Sequence, residues 1–594
     1  MKRSNSKSKA PSAFKKLGAV ALITATIFFV ACKQTSGSGG GGKPTPKPKH
    51  AINFSVDSTT PNGTLKAKAD DVDETEKSPI SIEEGKTVTF TAKADDGYRV
   101  KGWTLDGKPI TEAGKSNTYA HIVTKVATIT VSFEEIPKHK ITFSVEGKNG
   151  TLTAKVDGGD IASGEEVEEG KTVTFTATAS DGYRVKGWTL DGNAITEAGT
   201  KAEYSHTVTT TATVKVSFEL RPVKGGAILI LNPNKLVIKV KAKTEDGSAI
   251  TVEGCTETSL ASRRETTLHA TGTTVTLKGK ITELRCEYNK ITDLNVQGCP
   301  SLKHLDCSDN QLTELNVQGL STLKWLSCSS NKLTTLDVQG LTALEYLNCW
   351  RNQLTSLNVQ GCISLDDLQC SNNKFTTLDL QGLTALQELE CEENQLTSLN
   401  LQDFTALQEL KCGQNQLTSL NLQGCTALQK LICYKNQLTT LDIHGFRSLK
   451  ELNCHSNQLT EINMQDLHDL KELQCDNNQL TSINVQGLKF LKDLSCSSNK
   501  FTTLNVQSLP ALQTLYCSGN QLKAQAMTEI LKALPSRTAG DDARAYLYTE
   551  ETGVTEGNCK DYTQPEDLKK AFDGAKKKNW TLKKTKADGW GEDL

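Results

Sequence analysis

Leu302-Lys303-His304-Leu305-Asp306-Cys307-Ser308-Asp309-Asn310-Gln311-Leu312-Thr313-Glu314-Leu315-Asn316-Val317-Gln318-Gly319 is the stretch on which the reading of this chain turns. The same spelling returns every 21 residues from Ile281 onward. Cysteines stand at 286, 307, 328, 349, 370, 391, 412, 433, 454, 475, 496 and 517, each followed three residues later by an asparagine, Asn289 to Asn520. The unit is LxxLxCxxNxLTxLxVQGxxx, in twelve copies without an insertion. A strict period of this length means a stack of equivalent turns, each burying its apolar side against its neighbours. Side chains alternate along a strand, so Leu305 and Cys307 are expected to face the core, and His304, Asp306 and Ser308 to face out. Asn310 and its equivalents should turn the chain and satisfy backbone groups of adjoining turns with their amides. Leu312, Leu315 and Val317 should fill the convex side, and the Gln-Gly pair should make the returning turn.

The fold class that follows is an α/β repeat: a leucine-rich-repeat solenoid of about twelve units, with a parallel β-sheet on its concave face, over residues 281–523. A solenoid end exposes its core unless something covers it. Residues 221–280, rich in Val, Ile and Thr, are expected to cap the N-terminal end. Residues 524–594 are expected to form a β/α cap at the other end. There Met527, Ile530, Leu531 and Leu534 have helical spacing before Pro535, Asp567 to Lys578 reads as a second helix, and Trp580-Thr581-Leu582 as a strand.

Eighteen cysteines in an exported chain would ordinarily mean disulfides. The period argues otherwise, because equivalent side chains of in-register parallel strands stand about 4.8 Å apart, whereas bonded cysteines bring their Cβ atoms to about 3.8 Å. A ladder of free, buried thiols is the expectation. Cys299, Cys362 and Cys425 recur three units apart at a position otherwise filled by Leu or Phe, and are read as core as well.

Residues 50–220 hold one unit written twice: DGYRVKGWTLDG begins at Asp96 and, nearly unchanged, at Asp181, and EEGKTVTFTA begins at Glu83 and Glu168. Alternating runs such as Thr87–Thr91 and Ala127–Val131, punctuated by Asp-Gly and Asn-Gly, predict two small β-rich, β-grasp-like domains over 50–136 and 137–220. Tyr98, Trp103, Tyr183 and Trp188 are read as core. Gly85-Lys86-Thr87 and Gly170-Lys171-Thr172 imitate the tail of a phosphate loop, but the glycine such a loop needs five positions earlier is absent. The string from the GKTVTF strand through DGYRVKGW to the closing VSFE strand resembles the divergent internalin B-repeat of bacterial surface proteins, which implies a spacer or an adhesive module.

At the N-terminus a basic start (Lys2, Arg3, Lys7, Lys9, Lys15, Lys16) precedes an apolar run from Leu17 to Ala31, too short for a comfortable membrane span. Phe29-Val30-Ala31-Cys32 resembles a relaxed lipobox, with Phe where Leu is usual. The resemblance implies a signal peptide over 1–31 and diacylation of Cys32, which would anchor the chain to a membrane. Residues 32–49 have the Gly/Ser/Pro/Lys composition of a linker.

The Cys-Asn-Leu unit is similar to internalin-like repeats with a cysteine ladder and to leucine-rich lipoproteins of host-associated bacteria, including spirochaetes. That resemblance covers the chain from about Gly226 to its end. It implies a lipid-anchored, surface-exposed envelope protein, in the outer membrane, that attaches to host cells or other bacteria through a protein or glycan ligand.

The outward concave positions carry what varies. Three residues before each cysteine the order is Glu283, His304, Trp325, Tyr346, Asp367, Glu388, Glu409, Lys430, Glu451, Glu472, Asp493 and Thr514. His304, Trp325, Tyr346 and Trp350, with Arg351 beside them, are expected to form one exposed aromatic patch, since exposed Trp and Tyr are common binding anchors. An acidic block (Asp367, Glu388, Glu390, Glu392, Glu393, Glu409) and then a basic, aromatic area (Lys411, Lys430, Tyr434, Lys435) should follow. Tyr434 joins the candidate ligand-binding residues.

Formal net charge is -1, from 68 basic and 69 acidic residues, and the basic residues do not cluster, which argues against a nucleic-acid partner. No HExxH or GxSxG is present and the nine histidines are scattered, so neither a catalytic set nor a metal or other cofactor is expected. The concave carboxylates could in principle serve a glycan-active enzyme, but on an open surface nothing evident raises a pKa. A monomeric adhesin is the leading expectation, a structural or scaffolding envelope lipoprotein the alternative.

Overall fold

The computed structural model describes residues 46–550, 556–586 and 591–594. Cys32, the signal-like segment and most of the linker lie outside the described residues. Contacts divide the chain into two units, Met1–Lys138 and His139–Leu594.

The first unit is a pair of β-sheets. One contains, in order, Ile80–Glu83, Lys49–Val56, Ala127–Glu135, Tyr98–Leu105 and Lys108–Pro109; the other Val72–Thr75, Gly63–Ala69, Thr87–Ala94 and Thr118–Ile122. Alternation does what the sequence requires, since Thr87–Ala94 turns Val88, Phe90 and Ala92 inward and its threonines outward. Lys49–Val56 runs parallel to Ala127–Glu135, with Ile52 opposite Ala127. A parallel pair of this kind is the feature shared with a β-grasp; here the mixed sheet is accompanied by a second, four-stranded sheet, with no helix among the described residues of this domain. Trp103 is fully buried and satisfies its indole N–H on the Ser116 carbonyl at 2.8 Å. At Gly63 a Cβ would lie 2.6 Å from the Phe133 ring, which is why an Asn-Gly step stands there.

The second unit opens with the other copy of that domain, in which Trp188 donates to the Lys201 carbonyl at 2.9 Å. The two copies differ at one tyrosine. Tyr183 is buried with Leu220 and Ile228 in a small apolar cluster that joins this domain to the start of the solenoid, and the Asn295 side chain donates to the Leu220 carbonyl at 2.7 Å. Burial, and then Asp293, push the Tyr183 hydroxyl far above its ordinary pKa. Its counterpart Tyr98 is only half-buried and belongs to no such cluster among the described residues, so the core reading holds for Trp103, Trp188 and Tyr183 and fails for Tyr98.

Ile281–Arg285, His304–Asp306, Trp325–Ser327 and so on to Thr514–Tyr516 form the parallel concave sheet in strict register: Leu284, Leu305, Leu326 and Leu347 are successive partners. The leucines of these strands and all twelve cysteines of the repeat are buried, and the cysteines are free thiols. Burying a leucine is worth about 2 kcal/mol, but an isolated turn cannot bury one, so each repeat depends on its neighbours.

The asparagines form the polar half of the ladder. Asn331 donates to the carbonyls of Cys307 (3.0 Å), Cys328 (3.1 Å) and Ser329 (3.1 Å) and accepts the Leu312 N–H at 2.9 Å. One side chain thereby ties its own turn to the preceding one. The residue before each asparagine lies in the left-handed region, as in Asp309 (φ 51), Arg351 (φ 53) and Lys435 (φ 49). This conformation swings the chain out of the strand at a cost of about 1–2 kcal/mol per residue. It also corrects the expectation for Ser308, which is folded into the turn, 9% exposed, with its hydroxyl on Asp306 at 2.6 Å. The second turn is also left-handed, at Gly319, Gly340 and Gly361, and at Asp403 and Asp466 where glycine is replaced.

The stack is closed at both ends. At the N-terminal end Val237–Thr244 pairs antiparallel with the first repeat strand, Lys241 opposite Arg285, while Gly226–Leu231 pairs with Ile291–Asn295 on the other side. At the C-terminal end Ala543–Thr549 and Trp580–Thr585 continue the parallel sheet, backed by α1 (Ala524–Ala533) and α2 (Glu566–Lys577). No helix among the described residues is long and apolar enough to cross a membrane.

Candidate ligand-binding face

In-register stacking carries each outward residue directly onto its equivalent one repeat away. His304 and Trp325 are stacked with ring centroids 4.0 Å apart and planes within 3°, and Trp325 and Tyr346 follow at 4.8 Å and 3°. The three rings are half-buried against one another. Stacked aromatic pairs add about 1 kcal/mol each beyond area burial. The His304 imidazole is held below its ordinary pKa by burial first, then by Arg285, and its Nε2 is buried without a partner. A neutral ring therefore begins the stack. At its other end the Tyr346 hydroxyl donates to Gln369 Oε1 at 3.1 Å, and Asn348 donates to the same oxygen at 2.9 Å.

Trp350 does not join the stack, which corrects the expectation of a single patch. It sits one residue beyond the cysteine, where the chain leaves the strand; it is 41% exposed, and Arg351 lies over its ring at 5.9 Å. Tyr434 is likewise separate. It lies across Gly413, where a Cβ would come within 2.6 Å of its ring, and stacks on His455 at 4.9 Å. Sequence reading missed His455, although both residues stand one place after a cysteine, 21 residues apart. Tyr516 stacks on Tyr546 at 4.2 Å. That pair was not foreseeable from the repeat, because Tyr546 belongs to a cap strand outside the period.

The acidic block is where the expectation of ordinary carboxylates fails. Asp367 follows Tyr346 in the register, and burial, then Glu388, push its carboxyl up to about 6. Its Oδ1 is buried with no partner, and Oδ2 receives only a long 3.4 Å contact from Gln369. Burial, then Glu390, also raise Glu392. Two lysines of the expected basic area are paired with carboxylates, while Lys435 is exposed. Lys411 is bound by Glu390 (2.6 Å) and Glu409 (2.7 Å), and Lys430 by Glu451 (2.8 Å). These lysines serve the neighbouring carboxylates, and among the described residues no cation pairs with Asp367 or Glu388. A raised carboxyl alone is not an active site, and among the described residues no group of three His, Cys, Asp or Glu could hold a metal ion.

The class this architecture defines is a leucine-rich-repeat solenoid carrying divergent internalin-type β-domains. Residues 63–137 and 141–222 match the family model of the divergent InlB B-repeat domain, and residues 301–323 that of the leucine rich repeat. No curated protein matches the sequence. Among solved structures, the chain is similar to the functional domain of InlJ from Listeria monocytogenes, described as including a cysteine ladder. Identity there is 27%, coverage 48% of this chain and 72% of that one, and the TM-score 0.39. An internalin, InlF, of the same organism is 24% identical (43% and 81% coverage, TM-score 0.40). A leucine-rich-repeat protein of Leptospira interrogans is 27% identical (42% and 81% coverage, TM-score 0.32).

Proposed function

We propose that this chain is a surface-anchored adhesin that holds a protein on host cells or other bacteria through the concave face of its solenoid. The observation that carries this reading is the ring stack His304-Trp325-Tyr346. An open sheet exposes large, stiff aromatic side chains whose burial against a partner loses little rotamer entropy. The core that supports them is repetitive, while the residues on this face differ from repeat to repeat. The membrane anchor in this reading is the diacylated Cys32. The two β-rich domains stand between that end of the chain and the solenoid in sequence, as a spacer would.

The test is attachment. Cells displaying the chain should bind host cells or partner bacteria, external protease should abolish binding, and Cys32→Ser should release the protein from the cell. Trp325→Ala should lose attachment at least about tenfold, since truncating an anchor of this kind typically costs about 2 kcal/mol. Full attachment by a correctly folded Trp325→Ala variant moves the site off the stack, with the β-rich domains next in line.

A further inference from the structure

The ring stack ends abruptly. The planes of His304, Trp325 and Tyr346 are parallel within 3°, at spacings of 4.0 and 4.8 Å. The next residue in register is Asp367, whose short carboxylate cannot continue a stack of rings. Tyr346 has no other ring against it among the described residues. Beside that ring stand two carboxylates: Asp367, whose Oδ2 receives only the long 3.4 Å contact from Gln369, and Glu388, its neighbour in the register. The nearby cations are already engaged, Lys411 by Glu390 and Glu409 and Lys430 by Glu451. The arginine nearest in sequence, Arg351, lies over Trp350 instead.

A group that completes this arrangement must be flat enough to lie on Tyr346 as the next member of the stack. It must carry a positive charge, and it must present donors in the plane of that stack toward a carboxylate. A guanidinium meets all three conditions: it is planar, permanently charged, stacks on aromatic faces and donates in a fork that fits a carboxylate. An ammonium meets only the second, being a compact point charge with no face. We propose that the concave face recognises an arginine side chain on its protein partner, the guanidinium lying on Tyr346 as the fourth member of the stack and pairing with Asp367 and Glu388. This rests on the adhesin reading and names the chemistry its partner must present. It also gives the clustered carboxylates a use: apart they repel one another, and a bound arginine neutralises them.

The probes are three tripeptides, Gly-Arg-Gly, Gly-Lys-Gly and Gly-citrulline-Gly, titrated into the full-length protein with tryptophan fluorescence as the readout. The arginine peptide should bind about tenfold more tightly than the other two, because lysine lacks the face and citrulline the charge. Asp367→Asn should lose about tenfold for the arginine peptide while leaving the lysine response little changed, and Tyr346→Ala should abolish the preference. Tyr346→Phe, which keeps the face, should restore it. Equal responses to arginine and lysine, no response to any peptide, or indifference to Asp367→Asn would overturn the proposal. If those results come with loss of cell attachment in Trp325→Ala, the stack is still the adhesive site and only the arginine assignment falls. If attachment also survives Trp325→Ala, the adhesin reading of this face falls with it.

Discussion

Replacing Asp367 with asparagine should make the protein more stable at neutral pH, an unusual outcome for removing a partly buried polar group. Burial and the adjoining Glu388 raise its carboxyl from 3.8 to about 6, so the fold prefers the protonated form. Roughly two units at about 1.36 kcal/mol each set a ceiling near 3 kcal/mol. The side chain is only half-buried, and solvent screening reduces that to about 1 kcal/mol. Asparagine keeps the shape and removes the charge. The hydrogen bond it disturbs, from Gln369 at 3.4 Å, is too long to matter much. Between about pH 4 and 6 the native state binds more protons than the unfolded chain, so the wild type gains stability as pH falls through that window. The penalty is complete above it and absent below the unfolded value. Asp367→Asn should therefore raise the Tm by about 1–2 °C at pH 7 and change nothing at pH 3.5. Amide exchange over Asp367–Gln369 reports the same difference locally, which matters because a repeat array need not unfold in one step. A variant that is less stable at pH 7, or a gain that persists at pH 3.5, would refute the assignment of an uncompensated carboxylate.

Two further outcomes test the ladders that hold the solenoid. The repeat cysteines should resist thiol reagents in the native protein, since burial pushes thiols such as Cys349, Cys433 and Cys517 up to about 12. Among the cysteines of the described residues, mass-resolved labelling should find only the less buried Cys255 and Cys559 modified until denaturant is added, and disulfides in the unreduced protein would contradict the strand register. Asn394→Ala removes donors to Cys370 (3.2 Å), Cys391 (3.2 Å) and Glu392 (3.1 Å) and the acceptor of the Phe375 N–H (3.1 Å). The three carbonyls keep a second donor each, from Asn373, Asn415 and the Asn372 N–H, but the buried Phe375 N–H is left unpaired; with the lost bonds this should cost about 3 kcal/mol, seen as a lowered denaturation midpoint and new proteolysis within the fifth and sixth repeats.

The fold was legible because the period and the alternation are two independent signals that agree. A 21-residue spacing of Cys and Asn places every strand, and the apolar letters say which face of it is buried. What escaped had a common physical origin, namely that the pattern stops at the end of the strand. The left-handed residue before each asparagine bears no consistent residue type, since Asp309, Ser330, Arg351 and Lys435 all adopt it. Alternation alone therefore pointed Ser308 outward and set Trp350 beside Tyr346. At the candidate site, the row His304-Trp325-Tyr346 could be read off because position in the unit determines position on the face. The pKa of Asp367 could not. It depends on how deeply one carboxylate is sunk beside a ring and on which lysines have already found partners, and both are properties of the packed surface. Tyr98 and Tyr183 make the same point, being identical in sequence context and different in burial because only one has Leu220 and Ile228 against it.

If the concave face is the adhesive one proposed, the repeats also allow its specificity to change without changing the fold. Stability resides in residues that are nearly invariant along the stack, the leucines, cysteines and asparagines, whose hydrogen bonds run to backbone carbonyls and so do not depend on the identity of outward side chains. In the proposed reading, recognition resides in the outward positions between them, which touch mainly their equivalents in adjoining repeats. A substitution at Trp325 or Glu388 thus alters the face locally and leaves the ladders intact, whereas one at Asn394 damages two turns at once. The coupling that remains runs along the face itself: His304 is kept neutral partly by Arg285, and Asp367 is raised partly by Glu388. A change at one outward position therefore shifts the charge state of its neighbour one repeat away, and the natural unit of specificity on this surface is a run of adjacent repeats rather than a single residue.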